Sequence, residues 1–185
     1  MSVYFTADTH FGHANIIKYC NRPFADVEEH DQELVRRWNL VVPPDGVVYH
    51  LGDFAFGSAQ FAADIRRQLN GEIHFIRGNH DKAAREANRG GAIFASEQDY
   101  LVLKGSPDIV MFHYPIYNWD KKHHGSWHLF GHVHNNPCNA ERNGLCLNVG
   151  VDVCAFAPLT MEEVADKLRG REVAGNKPSE RREEG

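Results

Sequence analysis

Seven metal-ligand candidates punctuate this chain, each after an apolar run. They are Asp8 and His10 in "ADTH", Asp53 in "LGDF", Asn79 in "RGNHD", His113 closing "IVMFH", and His132 and His134 in "GHVH". On an extended chain residues i and i+2 share a face, so each Asp-x-His or His-x-His pair can reach one point. Two carboxylates, four imidazoles and one amide are too many donors for a single tetrahedral zinc. No cysteine joins the set, which disfavours a structural zinc site. The donors suit two borderline divalent cations with one carboxylate shared between them. Imidazole favours zinc, iron, nickel or copper, and the oxygens bring manganese into range; magnesium or calcium would want more oxygens. Two such ions about 3.5–4 Å apart hold a bridging hydroxide and clamp a phosphate for in-line displacement. One Asp-x-His is expected almost by chance; the ordered series is what carries the reading.

The elements that must position these residues are strands and helices in alternation. "VYFTADTH", "GVVYHLGDF", "EIHFIRGNH", "DIVMFHYP", "WHLFGHVH" and "LCLNVGVD" each run from apolar residues into Gly, Asp, Asn or His, as strands entering loops do. A helix is predicted over 26–40, with Asp26 and Glu29 as a capping box and Val27, Leu34, Val35 and Trp38 facing the core. Another spans 58–69, capped by Ser58, with Phe61, Ile65 and Leu69 recurring every four residues. A third spans 160–169, where Thr160 and Glu163 repeat the capping-box spacing. "NRGGAIF" at 88–94 reads as a turn. Such alternation predicts α/β architecture, in which ligands collect at the carboxyl ends of the strands.

In order along the chain, "DTH", "GD", "GNHD", "FH" and "GHVH" resemble the motifs of the calcineurin-like metallophosphoesterase superfamily, over residues 3 to about 150. The resemblance implies a four-layer α/β/β/α sandwich of two mixed β-sheets flanked by helices, with a dinuclear site at its loop-rich edge. It implies that Asp8, His10 and His134 bind one metal, that Asn79, His113 and His132 bind the other, and that Asp53 bridges them. The cofactors are then two divalent ions, manganese foremost, with iron, zinc, nickel or cobalt as alternatives. His80 is similar to the family's non-ligand histidine, which contacts the substrate phosphate and protonates the leaving oxygen, beside Asn79. Several branches orient that histidine with a carboxylate just after Gly-Asp, where "GDFAFG" offers none. Asp81 either takes that part or caps the helix begun by "DKAAREAN", and capping is the expected role.

Around the site, Arg22 is expected to bind substrate phosphate, because a guanidinium matches two phosphate oxygens; the plain alternative is a surface Arg paired with a helix carboxylate. His13 is expected at the rim and His50 behind the ligands. In "YPIYNWDKKHHGSWHLF" between His113 and His132, the residues Tyr117, Trp119 and His123 or His124 could stack on a base; holding a long loop down is the preferred reading.

Composition bounds the rest. The 185 residues, 42% hydrophobic and 24% charged, suit a single domain over 1–169, followed by a charged, mobile tail over 170–185. A net charge of −5 argues against a strong electrostatic grip on long nucleic acid. Cys20, Cys138, Cys146 and Cys154 form no Cys-x-x-Cys pair and read as reduced thiols of a cytoplasmic protein. Neither a signal peptide nor a membrane span is expected, and the oligomeric state is left open. The function expected is two-metal hydrolysis of phosphodiesters or small nucleotides by in-line attack of a bridging hydroxide, with His80 as proton donor. Alternatives on the same site are a phosphomonoesterase or a nuclease. A non-catalytic docking scaffold should have lost ligands or the proton donor, and none is lost.

Overall fold

A computed structural model describes residues 2–139 and 144–173. The parallel strands β1 (Val3–Thr6), β2 (Val47–His50), β3 (Glu72–Ile76) and β4 (Ser96–Gln98) form one sheet, closed on its other side by antiparallel β9 (Leu159–Thr160), in the order β4-β3-β2-β1-β9. The second sheet has the order β5-β6-β7-β8, from Tyr100–Leu103, Ile109–Phe112, Trp127–Phe130 and Cys146–Asn148; only β5 runs antiparallel. The fold is therefore α/β, two mixed sheets flanked by helices, as the motifs implied.

Period-2 alternation sorts the core. Phe5, Tyr49 and Ile76 of the first sheet point inward to Ile109, Met111, Leu129 and Leu147 of the second. Their neighbours Tyr4, Val48, Ile73 and Phe75 point outward, against Leu34 and Trp38 of α2 (Val27–Val41), Ala62 and Ile65 of α3 (Ala59–Gln68) and the alanines of α4 (Lys82–Gly91). Val164 and Leu168 of α5 (Met161–Leu168) close the space between the sheets. On the far face of the second sheet, Trp119 packs on Val110, Phe130 and Cys146, under the loop that carries a 3-10 turn at Lys122–His124.

Local chemistry sets the helix starts. Ser58 accepts from Phe61 N–H, and Thr160 and Glu163 form a complete capping box. At α2 the expected box is altered: Asp26 accepts from Glu29 N–H, but the Glu29 carboxylate turns to Ala25 N–H. The turn expected at 88–94 begins later, since α4 continues to Gly91 and ends on Ala92 in the left-handed region. A short helix, α1 (Ala14–Tyr19), occupies what read as loop. The tail expected from residue 170 lies mostly outside the described residues; Arg171, inside them, donates to Cys146 O. Cys20, Cys146 and Cys154 are buried, Cys138 is half-buried, and none of the four forms a disulfide. Among the described residues no helix is long and apolar enough to cross a membrane.

Candidate metal centre

Every parallel strand but β4 delivers a loop to the same end of the molecule. Asp8 and His10 follow β1, Asp53 follows β2, Asn79 and His80 follow β3, His113 follows β6, His132 and His134 follow β7, and Asp152 follows β8. The backbone does not arrive extended. Asp8, His10, Asp53, His132 and His134 have φ between 52° and 70°, so five of the seven candidate ligands sit in the left-handed region. For residues other than glycine that costs on the order of 1 kcal/mol each, and such strain concentrates at functional sites. The i, i+2 extended geometry expected of the two motif pairs is thus replaced by left-handed backbone at both members of each pair. Asp8 N–H donates to Gly52 O (2.9 Å), and His10 N–H to Asp53 O (2.9 Å). These bonds tie the two loops together and offset the strain.

The donors fall into two groups. Ligand atoms of Asp8, His10 and His134 lie within 4.8 Å of one another, as do those of Asp53, His113 and His132. Asp53 links the groups, its Oδ2 lying 3.4 Å from His10 Nε2 and 3.6 Å from His113 Nε2. Backbone N–H groups steady both carboxylates: His132 N–H donates to Asp8 (2.9 Å) and His80 N–H to Asp53 Oδ1 (2.9 Å). Gly78 packs so closely that a Cβ there would lie 2.3 Å from Asp53 Oδ1. Close approach, rather than a special backbone angle, is what requires glycine at that point.

These residues fit divalent cations. His113 Nδ1–H donates to Leu51 O (2.7 Å), which leaves Nε2 a lone pair facing Asn79 Oδ1 at 3.1 Å. With Asp53 Oδ2 that makes three acceptors turned on one point, a repulsive cluster unless a cation occupies it. Buried His10 Nε2 likewise has no hydrogen-bond partner. Burial lowers the pKa of His10 to about 4 and also lowers those of His113 and His132, so these rings stay neutral, as metal ligands must. Burial raises Asp8 to about 7, against the pull of His134. Burial opposes the charge of Asp53 too, yet His10 and His113 hold its pKa low. Burial works against protonated His134, but Asp152, Cys20 and Asp8 together outweigh it and the pKa rises to about 10; a cation there must displace this proton.

Arg22 is a correction to the sequence reading. Its side chain is fully buried, and all five N–H groups are committed: Nε to Asp152 Oδ1, Nη2 to Asp152 Oδ2 and Asp8 O, Nη1 to Thr9 O and His30 Nε2. No donor remains for a substrate phosphate. Asp81 departs from its expected role as well. Although it begins α4, its side chain makes no capping bond and instead accepts from the N–H groups of Asp53, Phe54 and Gly78. His80 therefore gains no carboxylate from it, and no carboxylate among the described residues pairs with the His80 ring, which is exposed.

Asp152 was overlooked in the sequence. It accepts from His134 Nδ1–H (2.8 Å), at the end of "LCLNVGVD", the sixth apolar run and the one from which no candidate was drawn. Cys20 and Asp152 also lie near His134, but Arg22 occupies both Asp152 oxygens. His50 sits behind the site with Nε2 3.0 Å from Thr9 Oγ1. At the rim, the His13 ring stacks on Phe56 at 4.2 Å, and the His80 ring lies 5.6 Å from Phe56 and 5.8 Å from His10. Across the site, Tyr114 donates to Asn79 Oδ1 (3.3 Å). Farther along that loop, buried Lys122 lies over the Tyr117 and Trp119 rings at 4.5 and 4.8 Å; buried Trp119 holds the loop down, whereas Tyr117 is exposed.

An uncharacterized protein of Methanocaldococcus jannaschii is 36% identical over 168 residues, 86% of this chain and 87% of the relative. The Gene 66 protein of Mycobacterium phage D29 is 26% identical over 178 residues, covering 82% and 88%. The crystal structure of a protein of unknown function from Aquifex aeolicus matches at a TM-score of 0.73 and 25% identity, covering 90% of this chain and 98% of that one. The Calcineurin-like phosphoesterase superfamily domain matches residues 1–161, and the chain belongs to that superfamily.

Proposed function

We propose that this protein is a two-metal phosphodiesterase acting on small phosphodiesters or nucleotides. The observation that carries the reading is the convergence of two donor groups on one carboxylate, Asp53, with His80 beside both and in neither. Asp8, His10 and His134 would hold one divalent cation, and Asn79, His113 and His132 the other, with Asp53 shared; manganese suits so mixed a set of nitrogens and oxygens. Ions bound there supply Lewis acidity, lowering the pKa of water and neutralising phosphate charge.

The chain's own groups do the rest. Asp53 is fixed by His80 N–H on one oxygen and turns the other to His10 and His113. The exposed His80 ring projects from the same turn and donates a proton to the departing alkoxide, as a general acid does. A cavity of about 430 Å³, lined by Phe56, Asn79, His80 and Lys82, gives that leaving group room and an aromatic wall. Exposure of Asn79 and His80 leaves space for a phosphorus bearing two substituents.

The test compares bis(p-nitrophenyl) phosphate with p-nitrophenyl phosphate across manganese, zinc, nickel and magnesium. The diester should turn over faster, and His80→Ala should lose about 10²–10⁴-fold in kcat while retaining both ions. A tenfold preference for the monoester would overturn the substrate assignment. Loss of metal in His80→Ala would make His80 a ligand instead.

A further inference from the structure

We infer that Arg22 and Asp152 are positioning residues that orient His134 and brace the Asp8–His10 segment through one hydrogen-bond relay centred on Arg22; this rests on the metal assignment proposed above. Donor and acceptor logic fixes every link. A guanidinium only donates, so His30 Nε2, 2.7 Å from Arg22 Nη1, must accept. Its proton then lies on Nδ1, which donates to Asp31 Oδ1 (2.8 Å). Asp31 in turn accepts Gly12 N–H on both oxygens at 3.0 Å, just beyond the Asp8–His10 segment. At the other end the Asp152 carboxylate only accepts, so His134 carries its proton on Nδ1 and directs Nε2 to Asp8 and His10.

Arg22 also takes the carbonyls of Asp8 (2.7 Å) and Thr9 (3.0 Å), within a segment whose Asp8 and His10 are both left-handed. One fully buried side chain thus joins α2, the first motif, and the loop after β8. Lysine could not replace it: a single ammonium has three donors and no planar fork, against five acceptors here. The relay acts on the Asp8, His10 and His134 group and touches none of Asp53, Asn79, His113 or His132.

The experiment titrates manganese into wild type and Asp152→Asn, following affinity by calorimetry and spin coupling by EPR. An outer partner of a metal-bound histidine is worth about 10–100-fold in metal affinity. The variant should therefore bind one ion as wild type does and the other about 10–100-fold more weakly, with an uncoupled manganese spectrum at one equivalent. Unchanged affinity at both sites would overturn the relay. Because the variant leaves the buried Arg22 charge underpaired, it could fail to fold; the zinc-loaded wild type then decides. Long-range ¹H–¹⁵N correlation should find the His134 proton on Nδ1, and zinc bound through Nδ1 would refute the relay. A wild type that binds a single ion would sink the two-metal reading instead, and the His134 tautomer would still judge the relay.

Discussion

Asp81 binds the two central turns of the site together, and its removal has a calculable cost. The carboxylate is 1% exposed and accepts N–H from Asp53 at 2.8 Å, Phe54 at 2.7 Å and Gly78 at 2.6 Å. Asp81→Ala leaves three donors unpaired, two of them on buried residues, at about 2 kcal/mol each, roughly 6 in all. Against this, burial raises the Asp81 pKa from 3.8 to about 6. Keeping it ionised at pH 8 costs about 3 kcal/mol, at roughly 1.4 per pKa unit, which the alanine variant recovers. The net expectation is a loss of about 3 kcal/mol, or roughly 6–12 °C in Tm for a domain of this size. The sign with pH follows from the direction of the shift. The folded chain holds this proton more tightly than the unfolded one, so the group's contribution to stability falls as pH rises from about 4 to about 6. Asp81→Asn cannot titrate, and its deficit against wild type should shrink across that interval. Urea unfolding of chelator-treated protein, read by tryptophan fluorescence, measures both. An alanine variant within about 0.5 kcal/mol of wild type, or an asparagine deficit that grows with pH, would refute the reasoning.

Two further outcomes are expected. Gly78→Ala places a Cβ 2.3 Å from Asp53 Oδ1 and 2.6 Å from Asp53 N, so carboxylate and backbone must both yield. It should cost about 1–3 kcal/mol, and a manganese titration should find affinity at least tenfold weaker, by order of magnitude. Removing bound metal with a chelator should lower Tm reversibly, because free ion at about 1,000 times Kd stabilises by about 4 kcal/mol. A Tm unchanged by chelation and by added manganese would contradict a site built for ions.

Much of the site was legible because metal chemistry restricts residue type and because the loops follow apolar strands. The seven donors converge on one end of the fold, although they are scattered from Asp8 to His134. What the pattern could not convey was backbone shape. Alternation predicts extended pairs, whereas Asp8, His10, His132 and His134 are left-handed, held by long-range bonds with no local signature. Arg22 misled for a related reason: the partner that buries it, Asp152, lies 130 residues away. Asp81 has the sequence position of a cap, but Gly78 and Asp53 N–H groups compete for its carboxylate and win. Strand β4, Ser96–Gln98, escaped because it carries no apolar residue, and only Asp99 separates it from β5 in the second sheet. The helices were easier, since Ser58 and Thr160 bond within their own first turns.

The most direct measurement is anomalous diffraction from crystals grown with manganese. Two peaks are expected, about 3.5–4 Å apart on either side of Asp53, one among Asp8, His10 and His134 and the other among Asn79, His113 and His132. A single peak at saturating manganese, or peaks remote from Asp53, would contradict the account.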